Sequence, residues 1–144
     1  MKEGSFCFDA NAPGPGFVTD NPDPTCGQPI LGLIDPIAQY DHSEGIAVIG
    51  GFVYRGSSIA ELRGRYIFGD LRQGRIFVLD RSDRLREEEA GPGVITELQD
   101  QPDLSFSLMG FGQDASGEIY ALGIQLIDAS FTGVVLKLVP GPPG

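Results

Sequence analysis

The single histidine of this chain, His42, lies among acidic side chains in the segment Tyr40-Asp-His-Ser-Glu-Gly45. A neutral imidazole beside carboxylates can act as a general base or bind a ligand. A lone histidine in a loop is also often satisfied by nearby backbone groups. The local sequence leaves both interpretations of His42 open.

Arg55 is a second residue that could do chemistry. It follows the apolar run Gly51-Phe-Val-Tyr54 and precedes Gly56-Ser-Ser58. A guanidinium at a strand end, flanked by glycine, can hold the carboxylate of a ligand. It can equally pair with one of the 20 acidic residues of the chain. The sequence favours neither role.

Metal sites receive little support from the sequence. The segment Asp9-Ala-Asn-Ala-Pro-Gly14, followed by Asp20, resembles a calcium-binding loop in its first, third, sixth and twelfth positions. Pro13 replaces a ligand, however, and the surrounding prolines prevent flanking helices. One histidine and two distant cysteines cannot form a zinc site. We therefore expect no metal ligands, and the residues by themselves define no catalytic set.

Cys7 and Cys26 lie in one Pro-rich stretch and form a candidate disulfide. Such a bond would close the intervening loop and constrain the unfolded chain. Two separate thiols in a reducing compartment fit the sequence equally well. Neither cysteine belongs to a Cys-x-x-Cys motif, so no redox site is expected.

The elements that must position these residues are short. Of 144 residues, 21 are glycine and 11 are proline, which leaves no room for long helices. Because 41% of the residues are hydrophobic, a folded all-β chain is predicted. Residues 1–44 are expected to form a Pro/Gly-rich loop region packed on the sheet, residues 45–139 the strands, and residues 140–144 a disordered tail. About seven strands are predicted, over residues 46–54, 65–69, 75–79, 94–98, 106–111, 118–122 and 133–139.

A weak internal repeat favours a particular β architecture. Gly74-Arg-Ile-Phe-Val-Leu-Asp80 is echoed by Gly117-Glu-Ile-Tyr-Ala-Leu-Gly123. Their spacing is close to the roughly 40 to 50 residues of a four-stranded propeller blade. The repeat favours propeller blades, although Gly-x-Ile-aromatic also recurs by chance in β proteins.

The charge balance excludes two classes of partner. The net charge of −10 repels phosphate backbones and anionic lipid, so neither nucleic acid nor a membrane is expected as a partner. No stretch of 18 apolar residues could span a bilayer. The first residues lack the apolar core of a signal peptide. The sequence leaves the cellular location open.

In family order, the segments resemble the C-terminal portion of the glucose/sorbosone dehydrogenase-like family of PQQ-dependent sugar dehydrogenases. The resemblance covers essentially the whole chain and implies a six-bladed β-propeller, with about two antiparallel, four-stranded blades present. The segments that carry it are Lys2-Glu-Gly-Ser-Phe-Cys-Phe8, Pro15-Gly-Phe-Val-Thr19, Ile34-Asp-Pro-Ile-Ala-Gln-Tyr-Asp-His-Ser-Glu-Gly-Ile-Ala-Val-Ile-Gly-Gly-Phe-Val-Tyr-Arg-Gly56, Gly64-Arg-Tyr-Ile-Phe-Gly-Asp70, Gly110-Phe-Gly-Gln-Asp114, Gly117-Glu-Ile-Tyr120 and Gly133-Val-Val-Leu-Lys-Leu-Val139.

The resemblance also implies a cofactor site. Members of the family bind PQQ and calcium near the propeller axis, and are typically periplasmic or secreted. Arg55 stands where relatives place a lysine against a cofactor carboxylate, and Tyr40 and His42 are the other candidate cofactor-binding residues. Against this, Ser107 and Met109 stand where relatives place an arginine pair. The catalytic-histidine and calcium-binding segments lie upstream in the family, so the resemblance leaves enzymatic activity open.

The leading functional prediction is therefore a C-terminal propeller segment without dehydrogenase activity of its own. It would need the missing upstream blades or other copies, because isolated blades expose sheet edges and apolar faces. Three copies would approach the length of a six-bladed ring. The alternative is a stand-alone module that binds a carbohydrate, another ligand or a protein. A third possibility is an excised fragment without a separate function.

Overall fold

The computed structural model describes residues 2–3, 6–7, 36–40, 43–71, 74–80, 93–98 and 106–141. The chain divides into two compact units, Met1–Ile46 and Ala47–Gly144. In the first unit, strand β1 (Lys2–Glu3) pairs antiparallel with β2 (Phe6–Cys7). This short ladder lies in the region that the prolines predicted to be loop throughout.

The second unit contains two antiparallel sheets. The first sheet has the order β3 (Val48–Val53), β4 (Tyr66–Asp70), β5 (Ile76–Asp80) and β6 (Val94–Glu97). The second sheet has the order β7 (Phe106–Gln113), β8 (Ile119–Ile127) and β9 (Ser130–Lys137). A single 3-10 turn, Ala60–Leu62, lies between β3 and β4. All seven strands predicted after residue 44 are present, and the all-β, antiparallel prediction is confirmed.

The core lies where the two sheets face each other. Ile67 on β4 and Val78 on β5 are cross-strand partners, so their side chains share one face of the first sheet. Leu108 on β7 and Ile119 on β8 come from the second sheet, and both are fully buried in the same cluster. Strand β7 packs against β3 and β4. The alternation of apolar side chains along each strand therefore produces one core shared by two stacked sheets.

The two sheets share a feature at their first strands. Strand β3 has a register shift between Ile49 and Phe52, and β7 has one between Leu108 and Gly110. A bulge of this kind bends and twists a strand locally. β3 and β7 thus take equivalent places in two blade-like sheets, and no described strand of the second sheet corresponds to β6.

The internal sequence repeat does not follow this equivalence. It aligns β5, the third strand of its sheet, with β8, the second strand of the other. The similarity arises because both segments are apolar strands that follow a glycine with positive φ, Gly74 and Gly117. The blade-like sheets are observed directly, whereas six blades remain a prediction. No helix in the described ranges is long and apolar enough to cross a membrane.

Candidate functional site

The three residues proposed for a cofactor site have different outcomes. Arg55 lies two residues after the end of β3 in the second unit and is exposed. Tyr40 lies in the first unit and is half-buried, while His42 falls outside the described residues. Cys26 is also outside them, so the Cys7–Cys26 disulfide stays a prediction. The shared cofactor site of Arg55, Tyr40 and His42 likewise stays a prediction.

A buried carboxylate next to Arg55 organises this end of the second unit. Glu118, which immediately precedes β8, is only 3% exposed. Its Oε2 accepts a 2.8 Å hydrogen bond from the hydroxyl of Tyr54. Its Oε1 accepts bonds from the backbone N–H of Ser57 (3.0 Å), the N–H of Ser58 (3.1 Å) and the hydroxyl of Ser58 (2.9 Å). We call Tyr54, Ser57, Ser58 and Glu118 the Glu118 cluster.

In the Glu118 cluster, Glu118 carries a negative charge and its hydrogen-bond partner Tyr54 is neutral. The hydrogen bond from Tyr54, together with those from Ser58 and Ser57, lowers the pKa of Glu118 despite its burial. Burial, and then the Glu118 carboxylate, raise the pKa of Tyr54. At neutral pH Glu118 is therefore an anion whose two oxygens are both engaged. A carboxylate held in this way positions a loop and is not free to act as a general base.

Close backbone packing makes the Glu118 cluster rigid. A Cβ on Gly56 would lie 2.5 Å from Oε1 of Glu118, and one on Gly117 would lie 2.6 Å from the carbonyl carbon of Arg55. Gly117 also has a φ of +85°, which favours glycine. The side-chain amide of Gln113 donates to the backbone oxygens of Val53 (3.0 Å) and Gly117 (3.2 Å). The end of β3 is thereby joined to the turn between β7 and β8.

That turn is organised by a second carboxylate, Asp114. Its Oδ1 accepts bonds from the hydroxyl of Ser116 (2.6 Å), the N–H of Ser116 (2.9 Å) and the N–H of Glu118 (3.0 Å). Its Oδ2 accepts a 3.0 Å bond from the hydroxyl of Tyr120. These donors, with the Ser116 hydroxyl first, lower the pKa of Asp114 to about 2. Asp114 thus fixes the turn that presents Glu118.

The lowered pKa of Asp114 predicts a pH-dependent stability. Because the folded protein binds the ionised form more strongly, this contribution is present above about pH 4 and is lost as the pH falls towards 2. We expect Asp114→Asn to melt below the wild type at pH 7, with the difference shrinking to near zero at about pH 2. Thermal unfolding followed by circular dichroism at several pH values measures this. Asp128→Asn is the control, since Asp128 accepts no hydrogen bond from the described residues; an unchanged Asp114→Asn gap between pH 7 and pH 2 would contradict the assignment.

Arg55 differs from the other arginines at the sheet edges. Arg65 pairs with Asp80 at 3.5 Å, and Arg75 forms a two-pronged pair with Glu97, with a shortest distance of 2.7 Å. No acidic side chain in the described ranges pairs with the guanidinium of Arg55. Its backbone N–H donates a hydrogen bond to the backbone oxygen of Gly117 at 3.4 Å. We call Arg55 and the adjoining loop Gly56–Ser58 the Arg55 rim. The Arg55 rim presents an exposed cation on a fixed backbone, unpaired within the part of the chain that the structure describes, and this arrangement is suited to binding an anionic group.

The residues do not fit the cofactor that the family resemblance implies. Of the cationic positions that the resemblance assigns to PQQ, only Arg55 is cationic, while Ser107 and Met109 are neutral and exposed on β7. No group of three or more potential metal ligands occurs among the described residues. A single cation does not match a quinone bearing several carboxylates, so the described residues do not by themselves form a PQQ site.

Glu118, which the sequence did not reveal, is the main organising residue of the site. Its partner Tyr54 is 64 positions away along the chain, and no local motif connects them. The available signal was indirect: a lone acidic residue immediately before a buried strand, and two serines following a glycine. Arg55, by contrast, was expected near a strand end and lies there, and no described acidic side chain pairs with it.

Comparison with known proteins gives a partial match. No family model matches the sequence. The chain is 37% identical to human Hedgehog-interacting protein over 76 residues, which are 52% of this chain and 11% of that protein. It is 36% identical to the mouse protein of the same name over 78 residues, with the same coverage. The chain thus spans about a tenth of the length of these curated relatives, and membership of the sugar dehydrogenase family stays a prediction.

Proposed function

We propose that this chain is a partner-binding segment of a β-propeller protein, without dehydrogenase activity of its own. The observation that carries the proposal is the set of hydrogen bonds that Glu118 accepts. A buried carboxylate with four donors holds the Arg55 rim in place, and no acidic side chain within the described ranges pairs with the Arg55 guanidinium. Such a site is built to present a charge to a partner, because it retains no free acid or base for proton transfer.

A protein partner is favoured over a small cofactor. The relatives are named as proteins that interact with Hedgehog, and this supports a similar use of the matching segment here. The Arg55 rim would pair with a carboxylate on the surface of that partner, because a guanidinium forms two parallel hydrogen bonds with a carboxylate. Arginine is also enriched among the residues that contribute most to protein–protein binding.

We expect Arg55→Glu to weaken binding of this chain to an immobilised Hedgehog protein at least about tenfold, because the substitution reverses the one free charge of the rim. Surface plasmon resonance measures the affinity. Arg63→Glu is the matched control, since Arg63 is also exposed but lies beyond the rim. Absence of saturable wild-type binding at about 100 µM, or equal losses in both variants, would overturn the proposal.

The second candidate is the quinone-dependent dehydrogenase activity suggested by the family resemblance. The chain would be mixed with PQQ and calcium, and aldose oxidation followed with a dye acceptor. We expect no turnover and no shift in quinone absorbance, because the cation set is incomplete. Turnover above the protein-free rate would favour the enzyme instead.

A further inference from the structure

The two adjacent serines of the Arg55 rim use their hydroxyl groups differently. The backbone N–H groups of Ser57 and Ser58 both donate to Oε1 of Glu118, at 3.0 and 3.1 Å. The hydroxyl of Ser58 donates to the same oxygen at 2.9 Å. The hydroxyl of Ser57 makes no hydrogen bond with any residue that the structure describes, and Ser57 is exposed. The anchored loop therefore leaves one hydroxyl available to a molecule outside the chain.

This hydroxyl lies on the same side of the loop as the side chain of Arg55. Exposure alternates along the segment, because Tyr54 and Gly56 are buried whereas Arg55 and Ser57 are exposed. In an extended segment alternate residues project to one side, with their Cα atoms about 7 Å apart. The long side chain of arginine spans such a distance. The Arg55 guanidinium can therefore bind a group that is also held beside Ser57.

The backbone that carries both side chains is fixed by the chain itself. The N–H of Arg55 donates to a backbone oxygen in the turn before β8 at 3.4 Å. The N–H of Ile59 donates to the hydroxyl of Tyr54 at 3.0 Å, and the Glu118 carboxylate holds the residues between these two anchors. Ordering of loops and side chains is a main cost of association, so a loop that is already ordered loses less affinity to it. A single polar contact from this loop should therefore produce a measurable effect on binding.

From these features we propose that Ser57 is a second partner-contacting residue of the rim, whose hydroxyl donates to the same partner carboxylate that pairs with Arg55. The inference rests on the partner binding proposed above. A carboxylate offers about four acceptor sites, and a two-pronged pair with a guanidinium occupies about two of them. The Ser57 hydroxyl fills one of the remaining sites. The rim thus recognises a carboxylate through a cation and a neutral donor together.

The neighbouring Ser58 is a matched control within the same loop. Ser58→Ala removes a donor from the buried carboxylate of Glu118, so it should lower the stability of the fold. Ser57→Ala removes no side-chain hydrogen bond among the described residues, and its backbone N–H still donates to Glu118. The two substitutions delete the same group at adjacent positions, and they therefore separate a loss of stability from a loss of binding.

Surface plasmon resonance on an immobilised Hedgehog protein, combined with scanning calorimetry, tests the role of Ser57. We expect Ser57→Ala to weaken binding about five- to tenfold and Ser57→Thr, which keeps the hydroxyl, to stay within about twofold of the wild type. The unfolding midpoint of Ser57→Ala should lie within about 1 °C of the wild type, whereas Ser58→Ala should lower it by about 3 °C or more. In an Arg55→Gln background, Ser57→Ala should weaken binding less than about twofold further, because the shared carboxylate is no longer held at the rim.

Four results would overturn the role of Ser57. Unchanged affinity in Ser57→Ala, with Arg55→Glu still weakening binding, would remove Ser57 from the contact and leave the proposed partner binding intact. An equal fall in midpoint for Ser57→Ala and Ser58→Ala would show that Ser57 acts through the fold. Fully additive losses in the Arg55→Gln background would mean that the two side chains contact different groups. Absence of saturable wild-type binding at about 100 µM would overturn both proposals.

Discussion

Replacing Glu118 with alanine is expected to lower the midpoint of thermal unfolding by roughly 10 °C, because the loss leaves the buried hydroxyl of Tyr54 and three part-buried donors without their acceptor. The hydroxyl of Tyr54 and the N–H groups of Ser57 and Ser58 all lose their partner. Removing one member of a buried hydrogen-bonded set costs more than removing the set together. Differential scanning calorimetry of the variant and the wild type measures the effect.

Two further variants separate the Glu118 cluster from a general effect of charge. Glu61→Ala removes an exposed carboxylate from the 3-10 turn and should leave the midpoint within about 1–2 °C of the wild type. Tyr54→Phe combined with Glu118→Ala should cost less than the sum of the two single changes, because the two side chains act on the same bond. Additive losses, or an equal loss in Glu61→Ala, would contradict the cluster.

The stabilising effect of Glu118 should also depend on pH. Because the pKa of Glu118 is lowered in the folded protein, its stabilising effect is present above the usual carboxyl pKa and is lost as the pH falls through the folded value. The difference in midpoint between Glu118→Ala and the wild type should therefore become smaller as the pH is lowered.

At neutral pH the loop Gly56–Ser58 would lose the hydrogen bonds that anchor it in Glu118→Ala. The Arg55 rim would then no longer be held in a fixed position. Glu118→Ala is thus expected to weaken partner binding without touching the partner.

The fold was largely predictable because each strand carries a local signal. Alternating β-branched and aromatic residues, bounded by glycine, marked all the strands of the second unit. Strand ends were less predictable. The sequence ended the strand before the last at residue 122, whereas β8 continues to Ile127. The strand ends at a tight turn formed by Asp128 and Ala129, with φ values of 49° and 61°. Because this turn contains no glycine, the sequence gives no local signal for its position.

The site was less predictable because its interactions are long-range. Arg55 could be placed at a strand end from its neighbours alone. Whether it is free or paired depends on which acids lie nearby, and Arg65 and Arg75 show that similar arginines are paired. The role of Glu118 depends on the stacking of two sheets, because the segment after β3 supplies Tyr54 and the turn before β8 supplies the carboxylate. No local sequence pattern predicts the contact between Tyr54 and Glu118.

Leu108→Ala is expected to cost about 2–5 kcal/mol of folding free energy, the range for a large buried side chain cut to alanine. Leu108 is fully buried between the sheets, and a Cβ on Gly69 would collide with its side chain. Because the surrounding strands are fixed by their ladders, the space cannot close fully. Urea unfolding at low micromolar concentration gives the free energy, and an unchanged slope of free energy against urea would show that the denatured state is unaffected.

Leu126→Ala is the matched control for Leu108→Ala, because Leu126 is 61% exposed on β8 and its truncation should cost less than about 1 kcal/mol. Similar losses for both leucines would mean that the sheets do not share the core described. The two buried positions also differ in what they do. Leu108 holds the sheets together and is not a member of the Arg55 rim, so folded Leu108→Ala should bind its partner with wild-type affinity. Glu118→Ala should lose both stability and affinity, because Glu118 both joins the sheets and fixes the loop that carries the binding cation.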